Sequence, residues 1–174
     1  DIPANKKIAF KTKDVVSFNS MNAVAATSVA NAYGVDAETC RKALGKVKVI
    51  PGRMEVVSEN PIKVVVDYAH TPAQLEAVYK TFKGKKLICV LGSCGGGRDK
   101  WKRPELGRLA GKYCKEIIIT NEDPYDEDPM GIIDQVAQTS GLKVKKIIDR
   151  KEAINTAIKL AKPGEVVIIT GKGS

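Results

Sequence analysis

The sequence has a single histidine and a single tryptophan, and only 5% of its 174 residues are aromatic. Those few aromatics do not interleave with the basic residues, so no base-stacking platform for nucleic acid is expected. No apolar run approaches the ~20 residues of a membrane-spanning helix, so no membrane contact is expected. The first residues, DIPANKKIAFKTKD, lack the apolar core of a signal peptide and an initiator Met. The last, VVIITGKGS, stop in a loop after a strand. Both ends read as cuts from something longer. There is no internal repeat and no low-complexity tract. The four cysteines, Cys40, Cys89, Cys94 and Cys114, have no metal-ligand spacing. They read as small buried or half-buried residues of a reduced cytoplasmic protein, Cys89 in a strand and Cys40 and Cys114 on helices. Cys94 stands apart in a glycine loop, but no second histidine supports a reactive thiol there.

What is present is ordinary for a globular chain: 43% hydrophobic and 28% charged residues. The length suits one domain, or one domain plus a fragment of another. Lys and Arg number 29 against 20 Asp and Glu, a net charge of +9. The basic residues are scattered along strand flanks, where a solvated edge explains them. Binding to nucleic acid is therefore not expected, whereas a basic surface attracting anionic nucleotides fits.

The organising stretch is Val64–Arg103. Val64–Val66 and Leu87–Leu91 are short β-branched or apolar runs that suit strands buried on both faces. Each ends in a loop of polar, charged or glycine residues. Upstream, residues 1–17 look strand-like. A helix of small residues follows, capped at Asn19 or Ser20 and closed by Gly34. A second, Ala37–Leu44, is capped by Asp36 and ended by Gly45. From Gly52 the rhythm changes. Strands Met54–Val57, Ile62–Val66, Leu87–Leu91, Glu116–Thr120, Val144–Ile148 and Val166–Thr170 alternate with helices Pro72–Phe82, Pro104–Tyr113, Met130–Thr139 and Arg150–Leu160. That alternation predicts an α/β fold, a Rossmann-like and mostly parallel sheet with helices on both faces.

In such sheets ligands sit beyond the carboxyl ends of the strands. Asp67, at a strand exit, can accept from a ribose hydroxyl or hold Mg2+ through water; Thr71 is the better helix cap. His70 follows on the same rim, as a phosphate or base contact. The loop GSCGGGRDKWKRP lets backbone N–H groups approach an anion, and Arg98, Lys100, Lys102 and Arg103 add charge. It is not a P-loop, because no Gly-Lys-Ser/Thr closes it. The planar fork of Arg98 suits a carboxylate. Five acids, Glu122, Asp123, Asp126, Glu127 and Asp128, fill the loop after Glu116–Thr120. Opposite-charge loops on one rim can bind a zwitterion; the alternative is a solvated acidic turn with Asp128 near a helix N-terminus.

DYAHTP, GSCGGGRDKWKRPELG, the Asp-Pro loop after Glu116–Thr120 and the terminal GKG resemble the C-terminal domain of the Mur ligases, on the UDP-N-acetylmuramoyl-tripeptide synthetase branch. FNSMNAVAA and PGRMEVV resemble the segments leading into it. The resemblance covers nearly the whole chain, with its motifs in order. It implies that residues 1–50 end the central ATP-binding domain and that 51–174 form a truncated amino-acid-binding domain. The implied chemistry is ATP-dependent formation of an acyl phosphate on a UDP-MurNAc-peptide, then attack by an amino acid. Asn19 and Asn22 match asparagines near the adenine, Arg53 an arginine reaching the nucleotide, and Asp67 the aspartate on its ribose; His70 shares that motif. Arg98 matches the arginine gripping the incoming carboxylate. Glu122, Asp123, Pro124 and Tyr125 stand where diaminopimelate-adding members have Asp-Asn-Pro-Arg, and Gly171 matches a glycine closing the pocket.

Tyr125 departs from that pattern. Without the guanidinium, a second carboxylate would be left unpaired, so L-lysine is favoured over meso-diaminopimelate. The resemblance also places the P-loop and most Mg2+ ligands before residue 1, so no catalytic residue is assigned here. The chain alone is expected to be inactive, and its parent a cytoplasmic monomer, with a hinge within Gly45–Gly52. The alternatives are a folylpolyglutamate- or cyanophycin-type ligase and a non-catalytic nucleotide-binding module.

Overall fold

The computed structural model of the chain describes residues 17–47, 49–97, 99–141 and 144–172. The strand-like reading of residues 1–17 lies outside these except at Ser17, which is helical instead, and so does the placement of Arg98. The chain divides into two compact units, Asp1–Ile50 and Pro51–Ser174.

The first unit holds α1 (Ser17–Ala32) and α2 (Ala37–Lys46). Helix α1 begins at Ser17, so Asn19 and Ser20 lie inside it rather than capping it. Gly34 closes the turn that follows with φ +82°, where a side chain would be strained. Asp36 caps α2: its Oδ1 accepts the Thr39 N–H at 2.9 Å and its Oδ2 the Thr39 hydroxyl at 2.7 Å. Gly45 does not end that helix, which runs on to Lys46.

The second unit is a six-stranded sheet: β1 (Glu55–Ser58), β2 (Lys63–Val66), β3 (Leu87–Leu91), β4 (Glu116–Thr120), β5 (Val144–Ile147) and β6 (Val166–Ile169). Their order across the sheet is β1-β2-β6-β3-β4-β5. Only the β1–β2 pair is antiparallel. Helices α3 (Pro72–Thr81), α4 (Lys102–Tyr113) and α5 (Pro129–Ala137) cover one face, and α6 (Arg150–Leu160) covers the other. The side follows from handedness. Crossovers β2→β3→β4→β5 run one way across the sheet and β5→β6 returns, so right-handed connections put α6 opposite the rest.

Central β3 is buried along its whole length, as an unbroken apolar run requires. Leu87, Cys89 and Leu91 face α3 and α4; Ile88 and Val90 face α6. Each such aliphatic side chain contributes about 1.5–3 kcal/mol through burial. Helix α4 starts at Lys102, two residues before Pro104, because a turn from Asp99 (φ +52°) supplies its first carbonyls. It packs tightly on α5: a methyl at Gly107 would overlap the Val136 carbonyl, and one at Gly111 the Ser140 carbonyl. Cys89 and Cys114, the residue just past α4, are joined by a disulfide. This corrects the expectation that all the cysteines are reduced and that Cys114 lies on a helix. Nothing in their spacing shows the pairing, which depends on Cys89 facing the layer in which α4 ends.

Candidate functional site at the carboxyl rim of the sheet

The parallel strands deliver their loops to one rim. After β2, Asp67 is buried, and its carboxylate is already engaged. Oδ2 accepts the Met54 N–H and Oδ1 the Ala69 N–H, both at 2.8 Å. It therefore ties the start of β1 to the β2 exit, which the ribose reading did not foresee. Tyr68 is exposed between them. The Arg53 guanidinium lies 4.4 Å from its ring centroid, and His70 meets the ring edge-on at 5.0 Å. The His70 Nδ1 is 3.0 Å from the Tyr68 carbonyl. Thr71, not Asp67, caps α3, accepting the Gln74 N–H at 3.4 Å. Arg53, Tyr68 and His70 thus form one half-exposed patch at the β1–β2 end of the rim. Asn19 and Asn22 belong to α1 of the other unit, where Asn22 is exposed.

Across the rim the glycine loop and the acidic loop are packed together. Gly95 donates its N–H to the Asp123 carbonyl at 2.9 Å, and a methyl on Gly95 would overlap the Pro124 carbonyl. The Tyr125 ring lies over Gly96, while Tyr125 itself is 69% exposed at φ +52°. The five acids do not act as a group. Asp128 caps α5 through Gly131 N–H at 2.8 Å. Asp123 pairs with Lys172 at 2.8 Å. Glu127 is bound to Arg103, its oxygens 2.9 and 3.0 Å from the two guanidinium nitrogens.

That last pair corrects the reading of the basic loop. Arg103 is fully buried and Lys102 is 4% exposed; Lys100 reaches Glu127 at 3.2 Å. Arg103 and Lys100 are thus engaged by Glu127, whereas the Lys102 ammonium has only the Cys94 Sγ, at 3.9 Å. The Arg103 hydrogen bonds, with those of the Gly97 N–H and Lys100, hold the Glu127 carboxyl down at about 2.

Glu122 is the buried member of the set. It lies against two glycines: a methyl on Gly171 would overlap its carboxyl, and one on Gly92 would come within 3.1 Å of its Cβ. Its Oε2 is buried without a hydrogen-bond partner, as are Ser93 Oγ and Arg150 Nη1. The other Arg150 nitrogen, Nη2, donates to the Thr170 carbonyl at 2.9 Å. Burial pushes the Glu122 carboxyl above the ordinary range, against the opposing pull of Arg150, Lys102 and His70. An open buried carboxylate oxygen is unusual, and a ligand ammonium would satisfy it. Arg150 and Ser93 were missed from sequence; a lone arginine after a strand and a serine before a glycine run gave no distinguishing signal. Among the described residues no three acidic, histidine or cysteine side chains cluster as a cation site, and no helix is long and apolar enough to cross a membrane.

The family model for the Mur ligase glutamate ligase domain matches residues 52–173. Over 165 residues the chain is 45% identical to the UDP-N-acetylmuramoyl-L-alanyl-D-glutamate–2,6-diaminopimelate ligase of Syntrophomonas wolfei, covering 90% of this chain and 33% of the relative. It thus spans about a third of that relative's length. A solved structure of a ligase with the same name aligns with TM-score 0.66 and 36% identity, over 94% of this chain and 35% of that one. Folylpolyglutamate synthase from Mycobacterium tuberculosis shares the fold at TM-score 0.71 and 22% identity, over 90% and 38% of the two chains. A rim assembled from a glycine loop, an acidic loop and a closing glycine, on a sheet that these comparisons match, places the chain in the Mur ligase family.

Proposed function

We propose that this chain is the amino-acid-binding part of an ATP-dependent ligase of peptidoglycan synthesis. The ligase adds a diamino acid, L-lysine in preference to meso-diaminopimelate, to UDP-MurNAc-L-Ala-D-Glu. The observation that carries this is the buried Glu122 carboxyl with an open oxygen, held between Gly92 and Gly171 beside Asp123. It offers a negative acceptor to an ammonium group, and Tyr125 offers no guanidinium to a second carboxylate. Arg98, outside the described residues, is assigned the α-carboxylate from the sequence resemblance alone. Gly171 leaves the Glu122 carboxyl its space.

ATP supplies the phosphoryl group that activates the peptide carboxylate. The Arg53–Tyr68–His70 patch fits an adenosine nucleotide: it combines an exposed aromatic face, a guanidinium and an imidazole. Asp67 holds that patch through Ala69 and Met54 and keeps lone pairs for a ribose hydroxyl. For Asn19 and Asn22 the adenine role rests on the family resemblance alone, as does the reading of the first unit as the end of the central domain. Mg2+ would be held mainly by ligands that the family resemblance places before residue 1. This chain's work is then to bind the amino acid, orient its amine toward the acyl phosphate and exclude water. The parent is proposed to be a cytoplasmic monomer, since both of its nucleotide substrates are cytoplasmic compounds.

A second reading has the relatives' names in its favour: the Syntrophomonas ligase and the aligned solved structure are both named for 2,6-diaminopimelate. Tyr125→Arg in the full-length ligase separates the two. If Tyr125 sets the preference, kcat/KM for meso-diaminopimelate relative to lysine rises at least about tenfold, about 1.4 kcal/mol. An unchanged ratio would remove Tyr125 from the specificity site. The isolated 174-residue chain, given ATP, Mg2+, peptide substrate and amino acid, is expected to release no phosphate. Release would overturn its reading as one part of a multidomain catalyst.

A further inference from the structure

We infer that the pair formed by buried Arg103 and half-buried Glu127 is a positioning device for the amino-acid site, an inference that rests on the ligase reading above. Arg103 lies on the first turn of α4, yet its bonds leave that helix. One nitrogen, Nη1, donates to Glu127 Oε2 at 2.9 Å and to Gln135 Oε1 on α5 at 2.8 Å. The other, Nη2, donates to Glu127 Oε1 at 3.0 Å and to the Cys94 carbonyl at 3.1 Å. The same Glu127 Oε1 accepts the Gly97 N–H at 2.9 Å. One guanidinium–carboxylate unit therefore grips the glycine loop at both shoulders, Cys94 and Gly97.

The loop needs such a grip. Gly96 and Gly97 sit at φ +76° and +72°, and consecutive glycines have little conformational preference of their own. What the grip orders is the site itself. Gly95 and Gly96 are the surface on which Asp123, Pro124 and Tyr125 rest, through the Gly95–Asp123 hydrogen bond and the Tyr125 ring. A residue that touches no substrate thus sets where the acidic loop stands. A buried guanidinium must be paired, and here the pairing is used to join two loops.

The test uses the full-length ligase with Glu127→Gln, which keeps an acceptor but removes the charge. Glu127→Asp is the second variant: it keeps the charge but is too short to span Arg103 and Gly97. Gln135→Ala, which removes an Arg103 bond that does not reach the loop, is the control. In both Glu127 variants the KM for the amino acid should rise at least about tenfold, with the KM for ATP and kcat within about twofold. The Gly97 amide should exchange with deuterium faster, and Gln135→Ala should change neither. Faster Gly97 exchange with an unchanged amino-acid KM would overturn the inference, leaving the pair merely structural. An equal rise in every KM would overturn it too. A wild-type enzyme that releases phosphate with no amino acid would overturn the ligase reading and the inference with it, whereas wild-type turnover that Glu127→Asp leaves intact overturns the inference alone.

Discussion

Glu122 and Glu127 lie five positions apart on one loop and are shifted in opposite directions. The difference is access to partners: Glu127 has a bidentate arginine and a backbone N–H, while Glu122 is buried with one oxygen unpaired. Their effects on stability have opposite signs. The folded pKa of Glu127 is depressed, so its contribution is present above the ordinary 4.5 and is lost as pH falls toward about 2. Urea unfolding of Glu127→Gln between pH 2 and 6 should show a shallower acid slope than the wild type; parallel curves would contradict the pairing. The folded pKa of Glu122 is raised, so the protein loses stability as pH rises above the ordinary carboxylate value. Glu122→Gln should be at least as stable as wild type at pH 8 while raising the amino-acid KM about tenfold or more. A clear loss of stability at pH 8 would mean that the carboxylate is paired after all. Sequence placed Glu122 and Asp123 on the rim because strand exits are readable from β-branched runs, and Gly171 through the family resemblance. It could not show that Arg103 and Glu127 neutralise each other, since that needs α4 and the acidic loop to meet across 24 residues.

At the scale of elements, helix–helix approach and helix ends decide the glycines. Gly107 on α4 faces the Val136 carbonyl with no room for a methyl, whereas Gly45 inside α2 has open space around it. Gly107→Ala should therefore destabilise the chain by about 1–3 kcal/mol through overpacking. Gly45→Ala should stabilise α2 by roughly 0.5–1 kcal/mol through backbone entropy. Urea midpoints of the two variants moving the same way would contradict this packing. The two positions could not be told apart from sequence, and Gly45 was there read as a helix stop. Gly52, which bounds the proposed hinge, has φ +67° and donates its N–H to Glu55 at 2.8 Å. Proline there would break this turn whether or not the segment bends, so it is a poor probe of a hinge. The capping residues Asp36, Thr71 and Asp128 were legible, because their chemistry is local. The Cys89–Cys114 link was not, because it joins a strand to a helix end. Thiol titration of the denatured, unreduced chain should find two free cysteines, Cys40 and Cys94. Four would contradict the link.

For the whole molecule, alternating strands and helices made the α/β class and the rim readable in advance, since periodicity and right-handed crossovers leave few topologies. Sheet order was less accessible: β6 enters between β2 and β3, a placement that no local pattern encodes. The net charge of +9 suits the anionic nucleotide of the proposed function. Under the proposed function, this rim selects the amino acid for a ligase. The most direct test of this is phosphate release by the full-length enzyme, supplied with ATP, Mg2+ and UDP-MurNAc-L-Ala-D-Glu and challenged with single amino acids. Release dependent on L-lysine or a close diamino acid is the expected result, and release with meso-diaminopimelate alone would keep the ligase but reject the role given to Tyr125. Release with no amino acid would contradict the account.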